Sequence, residues 1–95
     1  MSYKVTRKDE KYFEARVLHW ANLLQLGDWR IEVYASTKVT ENSAECEMWH
    51  NAHGAHIKLR GVFDHKLDAK FLNQLALHEV CHVLLCDLKR LIGER

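Results

Sequence analysis

Leu75-Ala76-Leu77-His78-Glu79-Val80-Cys81-His82-Val83-Leu84-Leu85-Cys86 is the stretch around which the rest of the chain is read. Nine of these twelve residues are apolar or carry a thiol, and the exceptions are His78, Glu79 and His82. On an α-helix, residues four apart lie one turn above each other on the same face, so the two imidazoles converge while Glu79 projects beside them. Burying two imidazoles and a carboxylate in an apolar helical run is costly without partners, and a metal ion with its hydrogen-bonded surroundings is one way to satisfy them.

The spacing spells H-E-x-x-H, the arrangement in which two histidines hold zinc and a carboxylate takes a proton from an activated water. It predicts His78 and His82 as metal ligands and Glu79 as the catalytic general base. The alternative is a pair of histidines satisfied within an apolar core. At 95 residues the chain makes one domain, 1–95, with a single modest core that a bound metal would help to stabilise.

Composition narrows the partners. With 14 Lys+Arg against 13 Asp+Glu, and basic residues scattered from Lys4 to Arg95, no stripe for nucleic acid forms. Cys46, Cys81 and Cys86 make no C-x-x-C pair, and their odd number argues for a reducing compartment. Residues 1–10 lack the apolar core of a signal peptide, and no run of 18 apolar residues occurs, so the expectation is a cytoplasmic protein with no membrane contact.

Outward from the motif, the chain reads as helix, strand, strand, strand, helix. Thr6 followed by Asp9 is a capping pattern, and Phe13, Val17, Trp20, Ala21 and Leu24 recur at helical spacing until Gly27 offers a stop. From Trp29 to Ser36 the period switches to two, with Trp29, Ile31, Val33 and Ala35 on one side. Thr37 to Asn42 is a polar connection. Ala44, Cys46, Met48 and His50 then alternate with Glu45, Glu47 and Trp49 to give a second strand. Asn51-Ala52-His53-Gly54 is a turn into a third strand carrying Ala55, Ile57 and Leu59, paired antiparallel with the second. Gly61 to Phe63 leads out of the sheet, Asp64 or Asp68 caps the last helix, and that helix runs to about Ile92 with Gly93 as its stop. The predicted fold is α+β: an N-terminal helix, a small three-stranded sheet with an antiparallel hairpin, and a long C-terminal H-E-x-x-H helix against one face.

That order, with the segment from Leu75 to Leu85, resembles the minimal zincin metallopeptidase core, in particular small phage and prophage proteins similar to SprT-like domains and minigluzincins. The resemblance implies zinc held by His78 and His82, Glu79 as general base, and a peptide or protein substrate. It also implies that the last strand before the motif helix offers an edge along which an extended peptide pairs. Such families take a third ligand from beyond the motif helix, whereas thirteen residues follow His82 here. Cys86 shares the histidine face but lies about 12 Å along the helix axis from His78. The possibilities left are His50, which alternates with Ala44, Cys46 and Met48; Glu94, if the chain reverses at Gly93; a residue from a second copy in a homodimer; and a weakly held metal with the two histidines and water alone. His50 also reads as an imidazole at a strand end, bonded to backbone or water. The same residues fit a zincin-shaped module that binds a protein without hydrolysing it.

Overall fold

The computed structural model describes residues 2–49 and 53–93. Along the chain lie β1 (Tyr3–Lys4), α1 (Arg7–Leu23), β2 (Arg30–Ser36), β3 (Ala44–Trp49), β4 (Gly54–Arg60), β5 (Val62–Phe63) and α2 (Ala69–Gly93). The architecture is mixed α+β, with two helices, a three-stranded sheet and a two-stranded one.

The capping pattern forms as expected. The Thr6 hydroxyl accepts the Asp9 N–H and the Asp9 carboxylate accepts the Thr6 N–H, each at 3.1 Å, satisfying two donors that the first turn of α1 would leave open. Phe13, Val17 and Ala21 face inward from this helix. Its end differs from the expected stop at Gly27. The reversal occurs at Gln25, which takes φ 61°, while the Gln25 N–H donates to the Asn22 carbonyl and the Leu26 N–H to the Ala21 carbonyl. This is a Schellman closure with glutamine where glycine is usual. The physical reason for the earlier stop is Leu26, which the turn swings into the core at 2% exposure.

The main sheet has the order β2-β4-β3, with β2 parallel and β3 antiparallel to the central β4. The antiparallel hairpin is therefore present, but β4, the last strand of this sheet before α2, is not an edge. This corrects the expectation that the last strand before the motif helix exposes one: β4 is paired on both sides, and the edges belong to β2 and β3. Its inward residues explain the position, since Ala55, Ile57 and Leu59 are each 0% exposed, which only a central strand under both helices allows. Val33 and Cys46 flank Ile57 in register on the inner face. Both helices cover that face, α1 beside β2 and α2 beside β3.

Gly61 to Phe63 does more than lead away. Val62–Phe63 pairs antiparallel with Tyr3–Lys4, a second small sheet that alternation over two residues could not reveal. Of the two candidate caps for α2, Asp68 acts: its Oδ1 accepts the Phe71 N–H at 2.8 Å. Helix α2 runs through Gly93, slightly past the expected stop. Asn73 ties the helices together, its Oδ1 accepting the Arg16 Nε–H at 2.7 Å and the Trp20 Nε1–H at 3.0 Å. Among the described residues, no helix is long and apolar enough to cross a membrane.

Candidate metal centre

Leu72, Ala76, Val80 and Val83 fix the roll of α2 by burying one stripe in the core. Glu79 lies within that buried side at 5% exposure, while the His78 side chain, one position earlier, is 66% exposed. The helix thus presents its two imidazoles at the rim of the molecule and its carboxylate beneath them.

His78 Nε2 and His82 Nε2 are 3.1 Å apart, with ring centroids 4.7 Å apart and planes at 83°. Two nitrogens bound at 2.0–2.1 Å to one tetrahedral ion sit about 3.3 Å from each other, so the two rings already stand close to the spacing of a shared ion. Glu79 Oε2 lies 4.0 Å from His78 Nε2. One ligand atom from each of His78, Glu79 and His82 falls within 4.8 Å of the others, the one such group among the described residues. Imidazole nitrogens with a nearby carboxylate suit transition-metal ions such as zinc, copper, iron or nickel, so this group could hold a metal ion through its two histidines.

Burial raises the affinity of the Glu79 carboxyl for its proton, and the neighbouring His82 and His78 pull it partly back; the net direction is upward. A carboxylate shifted this way is a better proton acceptor near neutral pH than an exposed one.

Beside the group opens a cleft of about 740 Å³. Leu75, His78, Glu79 and His82 of α2 form one wall, and residues 42–48 with Lys58 form the other. Seven consecutive residues include both faces of the pleat, so the cleft runs along the edge of β3. Cys46 faces inward from that strand, and burial, then Glu79, then Cys86 push its thiol up to about 12.

His50 and Glu94, the candidates for a third ligand, lie outside the described residues. The remaining histidines are engaged elsewhere. His53 pairs with Asp28 at 3.1 Å and stacks on Trp29, and His56 pairs with Glu32 at 3.0 Å on the outer face of the sheet. His65 packs on Phe63 and Phe71, and His19 on Trp20. Among the described residues no disulfide joins the cysteines. The cleft contributions of Asn42, Ser43, Glu45, Glu47 and Lys58 were not expected from sequence; alternation marks the outer face of a strand but not which edge borders a site. No protein family, curated protein or solved structure matches the chain.

Proposed function

We propose that this chain is a zinc-dependent peptide hydrolase of zincin type, acting on an extended stretch of peptide or protein. The observation that carries the proposal is the convergence of His78 Nε2 and His82 Nε2 at 3.1 Å beside a buried Glu79, at the wall of a cleft bordered by a strand edge. Bound there, zinc supplies Lewis acidity, acidifying a water molecule and polarising a peptide carbonyl. His78 and His82 would hold the ion. Glu79 accepts the proton of the attacking water on its carboxylate and delivers it to the leaving amine. A third protein ligand would come from His50, from Glu94 or from a second copy of the chain; without one, water would complete a weaker site.

The substrate lies along β3. In an antiparallel ladder, residues alternate between those bonded to the neighbour and those whose main-chain groups point away. The Ser43 carbonyl accepts the Arg60 N–H at 2.9 Å, so Glu45 and Glu47 likewise direct theirs to β4, leaving those of Ala44, Cys46 and Met48 for an added strand. The other edge is less open, since Glu10 Oε2 accepts the Ala35 N–H of β2 at 2.8 Å. An odd set of cysteines without a disulfide framework suits a cytoplasmic setting.

Glu79→Gln provides the test. The variant is expected to keep one zinc per chain and to lose hydrolysis of an unstructured polypeptide by at least about a hundredfold, while His78→Ala and His82→Ala lose the zinc. Turnover retained in Glu79→Gln overturns the assignment of the base. One observation favours a second reading, a binding module: the described group contains only two imidazoles. Zinc-free, folded protein that captures peptide without cleaving it would establish that reading, and native mass before and after chelation reports a ligand supplied in trans.

A further inference from the structure

We infer that the peptide docked along β3 is a basic one, carrying Lys or Arg at two positions flanking a single residue, because the open edge of β3 presents Glu45 and Glu47 to it. The inference rests on the reading that a peptide pairs with this edge, and it names the class of peptide.

The ladder fixes what an added strand meets. Glu45 and Glu47 exchange main-chain bonds with β4, so toward the open edge they occupy the non-bonded positions of a new pairing. In an antiparallel pairing these are the positions where opposed side chains come closest, with Cβ atoms about 4.5–5.5 Å apart. Both glutamates are exposed on the outer face of the sheet, and both line the cleft.

Their existing neighbour already displays the complement. Across the ladder, β4 sets Lys58 opposite Glu45 and His56 opposite Glu47. Lys58 Nζ reaches Glu47 Oε1 at 3.5 Å, yet the Glu47 side chain stays 59% exposed, and His56 is drawn to Glu32 at 3.0 Å. One lysine therefore lines a cleft whose two walls carry Glu45 and Glu47 on one side and the buried Glu79 on the other. A peptide strand with acidic residues opposite Glu45 and Glu47 would place like charges in the closest positions, which is destabilising, whereas Lys or Arg repeats on the free side what Lys58 does on the other. The residue between the two cations has the opposite orientation. It meets Cys46 and points into the cleft, toward Leu75 and the His78–Glu79–His82 group.

Carboxylates alone would not make a docking site. Here the register adds a feature of its own: the main-chain groups of Ala44, Cys46 and Met48 turn to the open edge along the cleft, where an added strand would satisfy them and bring its side chains opposite Glu45 and Glu47.

The test is binding without turnover. Fluorescein-labelled ten-residue peptides alternating threonine with lysine, glutamate or serine are titrated against the full chain carrying Glu79→Gln, with zinc present, and read by anisotropy. The lysine peptide is expected to bind at least about tenfold more tightly than the glutamate peptide in dilute salt, with the gap narrowing as salt rises. Adding Glu45→Gln and Glu47→Gln, which keep side-chain shape, should bring the ratio near one, and Glu45→Lys with Glu47→Lys should invert it; a thermal melt of each variant verifies folding. Equal binding of the lysine and glutamate peptides, or a preference that survives the paired glutamine changes, overturns the inference. A wild-type chain that hydrolyses nothing while the preference holds removes the hydrolase and leaves the docking edge. Hydrolysis with no charge preference does the reverse.

Discussion

Cys46 and Gln25 are the residues whose chemistry departs furthest from what their type alone suggests. The Cys46 thiol keeps its proton to about 12 in the fold, against an ordinary value of 9.0. Between those values the folded chain binds more protons than the unfolded one, so this contribution to stability is complete below pH 9 and falls as the pH rises toward 12. Urea unfolding at pH 9 and pH 10.5 is expected to show wild type losing up to about 1 kcal/mol more than Cys46→Ala over that interval, allowing for solvent screening of a partly exposed thiol; parallel losses in the two proteins would contradict it. Gln25 sits at φ 61°, where a side chain costs about 1 kcal/mol relative to glycine. Gln25→Gly should therefore raise stability by up to about that amount, measured by the midpoint of thermal unfolding.

At the scale of elements, the helices depend on short-range signals and the sheets on one crowded junction. Asp68→Ala removes the acceptor for the Phe71 N–H and should cost about 1 kcal/mol without changing the cleft. Gly61 stands where the two sheets meet: its N–H donates to the Ser36 carbonyl and its own carbonyl accepts the Val5 N–H. A Cβ there would lie 3.1 Å from the Thr37 main-chain nitrogen and 3.2 Å from the Ser36 carbonyl carbon. Because backbone atoms cannot rotate aside, Gly61→Ala is expected to destabilise by about 1–3 kcal/mol in urea unfolding. A neutral result would mean that the junction opens readily.

Over the whole molecule, the proposed ion and the fold are linked. A ligand that binds only the native state adds about 2.7 kcal/mol of stability at a hundred times its dissociation constant, so zinc should raise the unfolding midpoint and a chelator should reverse the rise. His78→Ala should abolish the response while leaving the metal-free midpoint nearly unchanged, because that side chain is 66% exposed. The molecule is elongated, 49 × 24 × 17 Å. Helix α2 spans 25 residues, about 37 Å at 1.5 Å per residue, and carries the histidines partway along it.

Much of this was legible in the sequence because it is written at short range. Thr6 with Asp9, the period-two run from Trp29 to Ser36, the alternation of Ala44, Cys46 and Met48, and the four-residue step from His78 to His82 each depend on neighbours within a turn or a pleat. The sequence by itself therefore determined both helices, the three strands of the main sheet, the antiparallel hairpin and the helical turn that joins two imidazoles to a carboxylate. Only the tertiary structure decided that β4 lies between β2 and β3, that Val62–Phe63 closes onto Tyr3–Lys4, and that the edge bordering Glu79 belongs to β3. Strand order follows from which apolar faces bury most completely under both helices, a sum over contacts distant in the chain that no local period encodes.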